Sequence, residues 1–235
     1  MVTSAPRADS GSARCILYAF YKRSLRLPVP HVNAVTLVAA PVYLALLHYP
    51  ITNRNGQLVT TAVTNLDIHD IARSCRTFDL KGYFIVTPIE MQHELVGRIL
   101  NHWRDEKSRE YHPDRFAAVS LVRLVKNFDE VKAAIASENG GELPEVVLTD
   151  AKTHPNSVSY PDYRKELARL STGERTKPSV IVFGTGWGVS DVFFPEVHRI
   201  LAPVYGPEGE QEKGGYNHLS VRSAVAIILD RLLGH

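Results

Sequence analysis

The 235-residue chain is 44% hydrophobic and 22% charged, enough for a sizeable core, which excludes a disordered protein and gives no sign of a membrane-spanning one. Its formal charge of +2 hides an asymmetry: residues 1–41 hold five basic residues and one acid, leaving 22 basic against 24 acidic residues beyond them. No net basic field therefore exists for nucleic acid, and two distant cysteines with ten scattered histidines make neither a disulfide framework nor a metal-ligand spacing, a pattern that suits a reducing cytoplasm.

Residues 1–41 read as an extension ahead of the fold, disordered or dispensable, or as sequence preceding the true start of the domain. Lys22, Arg23 and Arg26 before an apolar stretch imitate a secretion signal, but Pro28, Pro30, His31 and Asn33 interrupt it. From Val42 the pattern alternates between strands, near 42–48, 82–87, 117–124, 145–149, 179–183 and 199–204, and helices, near 65–78, 89–108, 128–138, 161–171 and 218–233. This alternation predicts one α/β domain over 42–235, a mostly parallel sheet flanked by helices. Local basic groups at Arg73/Arg76, Arg98/Arg104/Lys107/Arg109 and Lys165/Arg169/Arg175/Lys177 are either solvated helix faces or the places where RNA would touch.

Two junctions carry chemistry. The β-branched run Ser179–Phe183 opens into Gly184-Thr185-Gly186-Trp187-Gly188, where alternating glycines bring backbone close to a ligand and Trp187 offers a stacking surface. A tight turn without a ligand uses the same residues, and the loop lacks the Gly-Lys-Ser/Thr of a phosphate-binding loop. Near the C-terminus Tyr216-Asn217-His218-Leu219-Ser220 turns abruptly into an apolar helix, whose first turn presents unpaired N–H groups to a small polar ligand or simply to a cap.

A third stretch, Thr64-Asn65-Leu-Asp-Ile-His69-Asp70-Ile-Ala-Arg73-Ser-Cys75, leads into the strand Gly82–Val86 and Pro88. With the two junctions, in this order, it resembles the three motifs of the TrmH-like branch of the SPOUT methyltransferases. Tyr43–Pro50, Thr64–Arg73, Gly184–Gly188 and Tyr216–Arg222 further resemble the small bacterial SPOUT family named for the C-terminal domain of tRNA guanine-N1 methyltransferases. The resemblance covers 42–235 and implies an α/β knot with a C-terminal trefoil, S-adenosylmethionine as cofactor, tRNA or rRNA as substrate, no metal, a homodimer and a cytoplasmic location. It places cofactor contacts at Thr149, Gly184, Thr185, Gly186, Trp187, Gly188, Leu201, Pro203, Tyr205, Gly206, Asn217, His218, Leu219 and Ser220.

By the same resemblance Arg73 matches the arginine of ribose 2′-O transfer. A permanently protonated arginine is a poor base, so Arg73 is either a base altered by an RNA phosphate or a phosphate anchor. Asn65, His69 and Asp70 are the neighbouring candidates for handling the proton, and Asp70 also suits a structural pairing with Arg73. The chain has Tyr216–Ser220 where TrmH types have Ser-Leu-Asn-Val-Ser, and Thr185/Trp187 where they have Glu, so ribose 2′-O and guanine-N1 transfer both stay open. The alternatives are a SPOUT-like domain that binds cofactor or RNA without transfer, and an unrelated α/β nucleotide-binding enzyme.

Overall fold

The computed structural model describes residues 40–170, 177–206 and 216–234. The expectations for residues 1–39, including Cys15 and Lys22–Arg26, and for Arg175 lie outside these residues. Seven strands form one parallel sheet: β1 Val42–Leu47, β4 Gly82–Val86, β5 Val122–Val125, β6 Glu145–Thr149, β7 Ser157–Val158, β8 Ser179–Phe183 and β9 Arg199–Leu201, in the order β5-β4-β1-β8-β6-β9-β7. A short antiparallel pair, β2 Ile51–Thr52 and β3 Leu58–Val59, lies outside it.

β1, β4 and β8 are buried along their whole lengths, as inner strands of a parallel sheet covered on both faces must be. Their alternation divides the core. Val42, Leu44 and Leu46 face one cluster with Ile68, Ile71, Val225 and Leu229, while Tyr43, Ala45 and Leu47 face another with Val131, Ile135 and Phe193. The first face is covered by α1 Asn65–Thr77, α2 Glu90–Trp103, α4 Pro113–Val119, α6 Tyr160–Leu170 and α7 Val221–Leu233. The second is covered by α5 Phe128–Glu138 and a 3₁₀ turn, Asp191–Glu196.

Four expected elements differ. The helix expected over 89–108 ends at Trp103, because Arg104 closes it through Asn101 and Leu100 carbonyls and Asp105 caps a new helix, α3 Glu106–Tyr111, accepting from Ser108 N at 2.6 Å. The strand expected over 117–124 begins only at Val122: Pro113 starts α4, which runs through Val119 and packs its apolar residues into the first core cluster. The helix expected from 218 begins at Val221, since Ser220 is extended and caps it. The strand expected over 199–204 stops at Leu201, short of Pro203, which has no N–H for a ladder.

Candidate functional site

The C-terminal ends of β1, β8 and β6 open on a cavity of about 780 Å³. Its walls come from four segments: Thr61–Asp67 before and in α1, Thr149–Lys152 after β6, Phe183–Gly188 after β8, and Asn217–Ser220 with α7. Crevices beyond the carboxyl ends of parallel strands are where open α/β sheets bind ligands.

The glycine loop is held by its neighbours. Gly186 has φ +57°, and a Cβ there would meet Ile51 Cγ2 at 3.1 Å; Gly188 has φ +103°. A Cβ on Gly184 would meet Val189 Cγ2 at 2.7 Å. All three glycines are thus required by the fold of the loop itself, Gly184 by space, Gly186 by both space and φ, and Gly188 by its φ alone, since a Cβ there would meet only Asp150 Oδ1, at 4.0 Å. Thr185 Oγ1 donates to Leu47 O at 3.1 Å and lies 2.5 Å from Thr61 Oγ1, which lies 3.0 Å from His48 Nδ1. If Thr185 donates to the carbonyl, Thr61 donates to Thr185 and His48 Nδ1–H donates to Thr61, so every donor of this chain is used. His48 is fully buried, its Nε2 has no partner among the described residues, and burial lowers its pKa from 6.5 to about 4 despite the nearby Asp67.

On the opposite wall Thr64 caps α1. Its hydroxyl accepts from Asp67 N at 3.2 Å and donates to Asp67 Oδ2 at 2.5 Å. Asp67 is 7% exposed and lines the cavity. Arg222, in the first turn of α7, reaches across to α1 with Nη1 3.1 Å from Asp70 Oδ2 and Nε 3.6 Å from Asp67 Oδ1. Asp70 is therefore paired with Arg222, and the alternative pairing with Arg73 is not the one formed.

The other candidates divide clearly. Thr149, Gly184–Gly188 and Asn217–Ser220 line the cavity; Thr149 Oγ1 donates to Val182 O at 2.9 Å and Asn217 Nδ2 to Ala151 O at 2.9 Å. Leu201 lies in the core, and Pro203, Tyr205 and Gly206 are absent from the wall, which takes Val204 instead; Tyr205 OH lies 2.6 Å from Thr153 Oγ1. Asn65 is exposed, His69 packs edge-on to Trp103 at 5.3 Å between ring centroids, and Arg73 lines a separate cleft. Sequence reasoning missed Asp67, Asp150, Lys152 and Thr61 as wall residues. The signal for Asp67 was present in the Thr64-x-x-Asp67 spacing of a capping box.

The solved structures on which this fold superposes are methyltransferases. A "Probable Methyltransferase" of Bordetella pertussis Tohama I superposes with TM-score 0.55 at 14% identity, over 85% of this chain and 96% of that one. TrmJ of Z. mobilis ZM4 does so with TM-score 0.51 at 13% identity, over 84% and 70%. Residues 41–234 match the SAM-dependent RNA methyltransferase family, and the chain belongs to that family. An uncharacterized protein of Aquifex aeolicus is 43% identical over 191 residues, covering 81% of this chain and 87% of that one. A tRNA (guanine-N(1)-)-methyltransferase of Oleidesulfovibrio alaskensis is 39% identical over 193 residues, 82% of this chain but 42% of the relative. The chain thus spans less than half the length of that relative.

Proposed function

We propose that the chain binds S-adenosylmethionine in the 780 Å³ cavity and methylates N1 of a guanine in tRNA. The cavity's size is ordinary for a small-molecule site, and its wall suits a nucleoside bearing an amino-acid arm: apolar Phe183, Val204, Leu219 and Ile228, and the charged Asp67, Asp150 and Lys152. When bound, the cofactor supplies a methyl group on a good leaving group. The chain's own tasks are to hold the acceptor in line and to take its proton.

One observation favours base over ribose: the cavity wall carries two carboxylates, Asp67 and Asp150, of which Asp150 already holds the His154 ring and the Lys152 N–H, while Arg73 is not on that wall. Asp67 Oδ2 is held by the Thr64 hydroxyl, and Oδ1 accepts no hydrogen bond from any described residue. A carboxylate takes the proton of an imide N1–H far more readily than that of an alcohol, because the mismatch in acidity is smaller. The name of the relative in Oleidesulfovibrio alaskensis supports the same acceptor.

A homodimer belongs to this reading. Trp187, Tyr216 and Leu219, on or beside the cavity wall, are 61%, 88% and 45% exposed, and Leu66 between the wall residues Thr64 and Asp67 is 56% exposed. A second copy over this rim would cover them. A trefoil knot in the chain after β8 belongs to the same reading. A cytoplasmic location fits a tRNA substrate.

The test is transfer of labelled methyl from S-adenosylmethionine to total tRNA, followed by digestion to nucleosides. Label in 1-methylguanosine is expected. Label in 2′-O-methyl nucleosides would move the acceptor to ribose, and cofactor binding without label in any RNA would leave a binding protein.

A further inference from the structure

Arg73 on α1 and Tyr111, His112, Pro113, Asp114 and Arg115 around the start of α4 enclose a second cleft, of about 260 Å³. Its cations have no protein counter-charge. Arg76, Arg123, Arg199 and Arg222 each pair with a carboxylate, but among the described residues neither Arg73 nor Arg115 does, although Asp114 is on the same wall. The Arg115 guanidinium lies over Trp103, its carbon 4.3 Å from the ring centroid, and its N–H groups have no acceptor among the described residues. Trp103 is itself flanked edge-on by His69, His102 and His112. The field of this cluster is felt by His69: after burial, Arg115 lowers its pKa most, Asp70 opposes it, and Arg73 adds a smaller lowering.

We propose that this cleft seats a phosphodiester of the substrate RNA strand, with Tyr111 as a stacking platform for an adjoining base. The proposal rests on the RNA-methyltransferase reading and names how that substrate is held outside the cofactor cavity. Three features select this ligand. The volume is below the usual range for a whole small-molecule ligand but sufficient for a phosphate of a strand that passes over the surface. Two guanidiniums and an imidazole are phosphate ligands, with Arg able to offer two parallel donors. Tyr111 is 75% exposed beside them, and an aromatic next to cations is how single strands are held without reading sequence.

The placement also suits the reaction. Asp67 on the cavity wall and Arg73 in the cleft are on one helix, six residues and so about 9 Å apart along its axis. A rigid element therefore links the seat of the strand to the cavity that its nucleotide must enter.

The test is binding of total tRNA by fluorescence anisotropy across a salt series, with S-adenosylmethionine binding measured on the same proteins. Arg115→Gln is expected to lower the slope of log affinity against log salt by about one, and Arg115→Lys to restore it, since a counterion is released for each phosphate neutralised. Tyr111→Ala is expected to weaken binding with the slope kept, and all three are expected to bind cofactor as the wild type does. An unchanged slope in Arg115→Gln with unchanged affinity in Tyr111→Ala, while the wild type binds tRNA, overturns the cleft and leaves the enzyme reading standing. Wild-type protein that binds cofactor but no RNA overturns both. Should Arg115→Gln lose the cofactor through misfolding, the exposed Arg73→Gln replaces it, with a lowered slope again expected.

Discussion

His48 couples the hydroxyl chain beneath the glycine loop to solution pH. Its folded pKa, about 4, lies below the unfolded value of 6.5, so between these the unfolded chain binds a proton that the native chain refuses. Its contribution is full above pH 6.5 and is lost as pH falls toward 4, by roughly 3 kcal/mol in all. Urea midpoints of the wild type should fall across this window more steeply than those of His48→Gln; parallel curves would show that His48 is not the group responsible. Asp67 makes a separate prediction. Asp67→Asn keeps the shape beside Thr64 but cannot take a proton, so kcat should fall by at least about a hundredfold, within the usual range for a general base, while cofactor Kd stays within a few-fold. A loss confined to Kd would make Asp67 a wall residue only.

The loop Asn217–Ser220 depends on the helix behind it. Ser220 caps α7 by accepting from Ser223 N at 3.3 Å, so Ser220→Ala should cost about 1 kcal/mol in urea unfolding and should loosen the cofactor wall, with Ser220→Thr restoring both. Stability lost without any change in cofactor affinity would separate the cap from the site. The elements most legible in the sequence were those with one dominant cause. β1, β4 and β8 are apolar on both faces, and α5 and β6 stand between clear punctuation. The 104–121 region was missed for two reasons: the Asp105 cap on Ser108 is a local signal that was passed over, while the Arg104 guanidinium donates to the Val119 and Val122 carbonyls, 15 and 18 residues away, which spacing does not reveal. The glycine loop was found, but not the reason for Gly184 and Gly186, whose missing Cβ atoms make room for Val189 and Ile51. Asp67 escaped because spacing marks it as a helix cap, and only the fold turns that cap toward the cavity.

For the whole molecule the proposed dimer rests on the exposed apolar rim. Leu66, Trp187, Tyr216 and Leu219 lie on two different flanks of one cavity, on α1 and on the loops after β8 and before α7, so no single helix face accounts for them. Isolated exposed apolar residues are ordinary on any surface, but several around one mouth mark a contact. Leu66 is the position to change: it is exposed, is absent from the cavity wall, and makes no part of either core cluster. Sedimentation of the wild type should give twice the chain mass, and Leu66→Asp should give the chain mass with an unaltered urea midpoint, because no buried contact is lost. Methyl transfer should fall with the dimer if the mouth must be covered to exclude water and align the acceptor. A wild-type monomer with full transfer would remove the second copy from the mechanism and leave the rim to the RNA.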